Sequence, residues 1–246
     1  MLEKINFYYL NNMEKMSELE LIKSLNTYVG LSPSFDNSIL YLSDFNIIKM
    51  LPMIIILTYF WFKGNNKLIV RQNIIKGILG SFIAMFLARI LAKTLPFRLR
   101  PFNDPDLHLI TPDFMQLVYF EKLSSFPSDH ATLGFALATT VLFIHFKWGI
   151  AAFLHVLILI CLPRIYLSLH FPSDILCGAA LGIGVTYATL KLEIFKPLIR
   201  TVLLINDKFP KSFYLFATAL AVEFATMFSV LRAFVTWALS FFNIVM

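Results

Sequence analysis

Seven side chains able to handle an anion recur in three short patterns. The first is Lys93-x6-Arg100-Pro101, the second Phe126-Pro127-Ser128-Asp129-His130, and the third Arg164-x5-His170-x3-Asp174. Two arginines and a lysine supply fixed positive charge and many N–H donors, and a guanidinium fits phosphate oxygens two at a time. Ser128 follows a proline and precedes an apolar run, so it reads as a helix N-cap whose free N–H groups and dipole end favour an anion. His170 and Asp174 read as a nucleophile and its orienter: a carboxylate holding one ring nitrogen leaves the other available. His130 is then free to protonate a leaving oxygen. Such a set suits phosphoryl transfer without a metal, in which positioning and charge stabilisation dominate.

The elements that must position these groups are membrane helices. Of 246 residues 58% are hydrophobic and only 15% charged, with mean hydropathy +0.73. Soluble domains are nearer 45–50% apolar and about 25% charged. Apolar stretches near the ~20 residues needed to span a bilayer run over 40–62, 74–95, 130–146, 149–163 and 175–195. A sixth region, 213–245, is long enough for one tilted helix or for a helix plus an interfacial segment. The expected fold is an all-α polytopic bundle of five or six transmembrane helices. Residues 37–246 form the membrane domain. Residues 1–36 form an interfacial amphipathic helix and then a loop at Ser32-Pro33-Ser34. No signal-peptide pattern occurs in that segment.

Charge sets the expected orientation. Residues 63–76 carry Lys63, Lys67, Arg71 and Lys76 without an acid, Lys147 lies in the next basic link, and 191–211 is again biased to lysine and arginine. By the positive-inside rule these face the cytoplasm, and the motif-bearing loops at 96–129 and 164–174 face outward. The net charge of +6 is scattered between apolar runs, unlike the single basic face of a nucleic-acid binder. Cys161 and Cys177 lie in apolar segments and read as core thiols. Asp104, Asp106 and Asp113 stand beside Pro105 and Pro112 and read as a solvated loop. No His or Cys cluster has metal-ligand spacing, so no metal and no cofactor is expected.

Together, the three patterns resemble the signature of the type 2 phosphatidic acid phosphatase (PAP2) family, a superfamily that includes vanadium haloperoxidases and glucose-6-phosphatase. That signature is Lys-x6-Arg-Pro, Pro-Ser-Gly-His and Ser-Arg-x5-His-x3-Asp, and the likeness spans residues 40–195 in the same order. It implies a haloperoxidase-like helical core and hydrolysis of a lipid phosphate or diphosphate through a phosphohistidine on His170. Asp174 would orient that ring and His130 would protonate the leaving group. Lys93, Arg100, Ser128 and Arg164 would bind the phosphate. Two positions depart from the signature: Asp129 replaces glycine and Pro163 replaces serine. The Pro-Ser-Asp-His form is similar to that of bacterial undecaprenyl-diphosphate phosphatases, which makes undecaprenyl diphosphate the first choice of substrate. Phosphatidic acid, phosphatidylglycerol phosphate and lipid A phosphate are alternatives, as is transfer of the phosphate to a second lipid. The expected partners are the membrane and its lipid phosphate; no protein partner is evident. A transporter would more commonly show inverted repeats and polar groups at mid-membrane. Arg89, one turn deeper than Lys93, either extends the phosphate site or pairs with Glu223, and the ion pair is the simpler expectation.

Overall fold

The computed structural model describes residues 18–63, 67–110 and 124–241, and these form ten helices and two short 3-10 turns. In chain order the helices are α1 (18–26), α2 (Pro33–Asp44), α3 (Asn46–Phe62), α4 (Lys67–Thr94), α5 (Asp129–Ile144) and α6 (Phe146–Tyr166). They continue as α7 (Pro172–Lys191), α8 (Lys196–Lys208), α9 (Pro210–Ala225) and α10 (Ser229–Phe241). Three helices, α4, α6 and α7, are long and apolar enough to cross a membrane, and five spans result if the bent pairs α2–α3 and α9–α10 each count as one. The chain is an all-helical membrane protein.

At the centre stands α5, which at 16 residues is shorter than the spanning helices α4, α6 and α7. At 1.5 Å per residue it rises only about 24 Å. Every residue from Ala131 to Val141 is buried, because α4, α6 and α7 surround it. A helix that is apolar on all sides needs such enclosure. It approaches α7 closely: a Cβ on Gly178 would lie 2.5 Å from the Ser128 carbonyl, and one on Gly182 would strike the Thr132 carbonyl. This Gly178-x3-Gly182 face lets the two backbones meet at the level where the motifs lie.

Several expected boundaries shift for identifiable reasons. The anticipated loop at Ser32-Pro33-Ser34 is the start of α2, with Pro33 in the first turn, where its missing N–H is harmless. Residues 1–17 lie outside the described residues, as do Pro112, Asp113 and the rest of 111–123. The stretch 40–62 is not continuous: α2 and α3 meet at Phe45 with a 53° bend. The 213–245 region is a helix followed by a second one, bent by 95° where Met227 and Phe228 adopt left-handed backbone angles. In α6 a π-helical stretch, Val156–Cys161, precedes Pro163. Proline supplies no N–H and crowds the preceding turn, and local widening relieves that conflict. Cys161 and Cys177 are free thiols.

One end of the bundle collects the end of α4, the N-termini of α3, α5 and α7, and the end of α6. The basic segments around Lys63, Lys147 and Lys191 fall at the opposite end.

Candidate active site

His170 reaches its place through the way α6 ends. Leu169 N–H donates to the Arg164 carbonyl at 2.9 Å and Ser168 N–H to the Ile165 carbonyl at 3.0 Å, with Ser168 left-handed at φ 55°. This is a Schellman termination. It reverses the chain, so the five-residue interval between Arg164 and His170 is the length of a helix end plus its turn. Arg164 remains inside the bundle and His170 returns beside it. Pro172 then opens α7, and the Asp174 carboxylate accepts from Phe171 N–H at 2.8 Å, capping that helix.

His170 is 3% exposed and Asp174 is fully enclosed. The Nδ1 of His170 lies 2.9 Å from the Ser125 carbonyl and 3.5 Å from Asp174 Oδ2. Its Nε2 lies 3.2 Å from Arg100 Nη1. A carbonyl accepts only, and a guanidinium donates only. The ring is therefore the Nδ1–H tautomer with its lone pair at Nε2. Burial holds the imidazole below its ordinary 6.5, and the Arg100 and Arg164 charges push the same way against the raising influence of Asp174. Asp174, the expected orienter, is thus not alone in holding the ring. The nearer partner is the backbone of Ser125, itself fixed by its N–H on the Arg98 carbonyl at 2.9 Å.

Ser128 caps α5 as expected, its Oγ accepting from Ala131 N–H at 3.5 Å, while its own N–H donates to the Asp174 carbonyl. This second bond ties the N-termini of α5 and α7 together. His130, in the first turn of α5, has Nδ1 3.0 Å from Asp129 Oδ1 and Nε2 3.3 Å from Asn46 Oδ1. Arg164 is 4% exposed, and its Nη2 donates to the Ser43 carbonyl at 3.3 Å. Arg100 is buried too, and it also donates to the Leu169 carbonyl at 3.0 Å.

Six of the seven residues singled out by motif are brought together in this way. Lys93 is the exception. It lies exposed in the last turn of α4 and makes no hydrogen bond or ion pair with another described residue.

Arg89 requires a correction. It pairs with Asp129, Nη2 to Oδ2 at 2.5 Å, and not with Glu223. Glu223 instead accepts from Leu231 N–H at 3.2 Å, at the first turn of α10. The non-glycine residue of the second motif is thus shared between a cation and His130, which removes the electrostatic conflict of a carboxylate in an anion site.

Four further residues belong to the site although no motif contains them. Arg98 stacks on Phe171 with its centre 4.0 Å from the ring and donates to Asp174 at 2.6 Å and to Ser173 at 2.8 Å. Glu18 joins this cluster, accepting from Arg98 at 3.1 Å and from Ser173 N–H at 2.9 Å. Asn46 and Lys49 come from the first turns of α3. A lysine within an apolar run was a signal in the sequence, since intramembrane charges usually serve a function. Arg98 gave no such signal, because a loop arginine is ordinary.

Chemically, the cluster offers a desolvated imidazole lone pair, a second imidazole and several guanidinium groups around one point. Among the described residues no group of three His, Cys, Asp or Glu side chains is placed to hold a metal ion.

The chain is 26% identical over 137 residues to a putative undecaprenyl-diphosphatase of Escherichia coli (strain K12), covering 56% of this chain and 63% of that one. It is 28% identical over 131 residues to the bacitracin transport permease protein BcrC of Bacillus licheniformis, covering 52% and 58%. It therefore spans less than two thirds of the length of these curated relatives. A crystal structure of a transmembrane PAP2 type phosphatidylglycerolphosphate phosphatase from Bacillus subtilis has the same fold, with TM-score 0.52 and 19% identity over 72% of this chain and 85% of that one. The family model described as the PAP2 superfamily matches residues 73–196, half of the chain, and the chain belongs to that superfamily.

Proposed function

We propose that the chain is a membrane phosphatase hydrolysing a polyprenyl diphosphate, with undecaprenyl diphosphate as first choice, through a phosphohistidine. The carrying observation is the opposite hydrogen-bonding of the two site histidines. His170 presents a lone pair at Nε2, held in place from behind. His130 has an oxygen atom at each ring nitrogen, so a proton on either nitrogen finds an acceptor.

In the first step the Nε2–P bond forms and the P–O bond to the leaving group breaks. The electron pair goes to the leaving oxygen, which takes a proton from His130. In the second step water attacks phosphorus, passes a proton to His130, and the P–N bond breaks to restore His170. Arg100 and Arg164, with the N–H groups at the start of α5, stabilise the charge on the equatorial oxygens. Asp174, held by Arg98 and Phe171 N–H, keeps the His170 loop in register. Lys93 is free at the rim to meet the incoming phosphate.

Two lines support the substrate. The Escherichia coli relative is named a putative undecaprenyl-diphosphatase, and Asp129 is the form of the second motif expected of that group. The basic loops at the opposite end of the bundle support an outward-facing site, which the lipid enters sideways from the bilayer.

The test is phosphate release by the purified protein from a panel of lipid phosphates with EDTA present throughout. Polyprenyl diphosphate should give the highest kcat/KM, undiminished by the chelator. Faster turnover of phosphatidic acid or phosphatidylglycerol phosphate would reassign the substrate, and no release from any of them would end the phosphatase reading. For sidedness, a cysteine at Asp106 should react with an impermeant thiol reagent in intact cells, and one at Lys67 should not; the reverse pattern inverts the molecule.

A further inference from the structure

Outside the residues matched to the family lies an unusual group. Lys49 is 1% exposed, among the largest fully enclosed side chains of the described residues. Its ammonium donates to the Ser43 carbonyl, and Arg164 Nη2 donates to the same oxygen. Ser43 lies in the last turn of α2, just before the 53° bend to α3, where helix carbonyls have no partner further along the helix. Among the described residues neither Lys49 nor Arg164 forms an ion pair with a carboxylate. The carboxylates that act on both groups, Asp44 and Asp129, stand beyond ion-pair distance, so one neutral oxygen is the nearest shared acceptor and an anion arriving from outside would be held by both.

The position of Lys49 identifies which anion. Asn46 Oδ1 is 3.3 Å from His130 Nε2, and Lys49 follows Asn46 by three residues on the same helical face. The ammonium therefore stands on the His130 side, whereas Arg100 stands on the His170 side. In the proposed reaction the phosphorus under attack meets His170 and the leaving oxygen meets His130. Beyond that oxygen a monoester has carbon, and a diphosphate has its second phosphorus.

We propose that Lys49, with Asn46, forms a subsite for the second phosphate of a diphosphate, the one that leaves with the lipid. When the bridging P–O bond breaks, its electron pair stays on the bridging oxygen, which becomes a terminal oxygen of the lipid monophosphate. His130 gives that oxygen a proton, and Lys49 holds the remaining charge of the departing group. The residue thereby selects phosphoanhydride over phosphomonoester. The inference rests on the phosphatase reading and deepens it.

Its test uses the full chain in detergent with farnesyl diphosphate and farnesyl monophosphate, which share one lipid tail. Lys49→Met should lower kcat/KM roughly 10- to 100-fold on the diphosphate, as expected for loss of hydrogen bonds to a charged group, and only a few-fold on the monophosphate. Lys49→Arg should recover most of the difference. Inorganic pyrophosphate should inhibit the wild type about 10-fold more tightly than orthophosphate, an advantage lost in Lys49→Met. Equal losses on both substrates would overturn the subsite and make Lys49 a structural cation. Should Lys49→Met fail to fold, the wild type still decides, because equal inhibition by the two anions excludes a second-phosphate site. If the wild type hydrolyses neither substrate, the phosphatase reading fails separately, and pyrophosphate binding measured by thermal shift still tests the subsite.

Discussion

The two site histidines have opposite surroundings. His170 sits in a loop after a helix end, with a backbone carbonyl at one nitrogen and a guanidinium at the other. His130 sits in the first turn of the central helix, with a carboxylate at one nitrogen and an amide oxygen at the other. The first arrangement fixes a tautomer and leaves a lone pair. The second places an acceptor at each nitrogen, as a group that gives and takes a proton requires. In the proposed reaction two residues of one type thus take different roles, set by what faces them.

The largest expected effect breaks that division of labour. His170→Ala removes the proposed attacking atom and should lower turnover by about 10⁴-fold or more, whatever the leaving group. His130→Ala should cost about 10²- to 10⁴-fold on lipid substrates. On an aryl phosphate with an acidic leaving group the loss should shrink toward ten-fold or less, because such an oxygen departs without a proton. A leaving-group dependence that appeared in His170→Ala instead would exchange the two roles.

Much of this division was legible in the sequence, because its spacings are the arithmetic of helix ends. Arg164-x5-His170 is a helix terminus and its turn, and Pro127-Ser128 is a cap. The apolar runs gave the helices that matter, although the bend at Phe45 was hidden in one continuous apolar stretch. What was not legible depends on which helices meet. Asn46 and Lys49 reach His130 from 84 and 81 positions away, and Arg89 finds Asp129 rather than Glu223 because α4 packs on α5 at that level. No spacing encodes such pairings. The Ser125 carbonyl was invisible for another reason, since any residue supplies a carbonyl.

A smaller effect sharpens the comparison by making the two histidines more alike. Asp129→Asn replaces the carboxylate facing His130 with a neutral amide, which supports a tautomer but not a second proton. Turnover of the lipid diphosphate should fall roughly 10- to 100-fold, the scale of a lost charge-assisted hydrogen bond. Turnover of the aryl phosphate should barely change. Arg89→Met, which leaves the carboxylate in place without its other partner, should fall in the same direction by less. Equal losses on both substrates would mean that Asp129 only supports the α4–α5 contact.

The smallest effect concerns the acidity of His170 and is read as a midpoint rather than a rate. Only the neutral ring has a lone pair at Nε2, so kcat/KM must fall as pH drops through the His170 value in the free enzyme. Burial places that value below 6.5, with Arg100 and Arg164 acting in the same direction and Asp174 acting against them. Asp174→Asn deletes the raising influence while burial and both arginines remain. The acid limb should therefore move to lower pH, by up to about one unit, even as the plateau falls from loss of the α7 cap. The phosphate of the substrate titrates near pH 6 as well, but its contribution is common to both proteins and cancels in the difference. Arg100→Met removes a lowering charge and should move the limb upward. A limb that moved upward in Asp174→Asn would show that the carboxylate acts on His170 through the loop geometry and not through its charge.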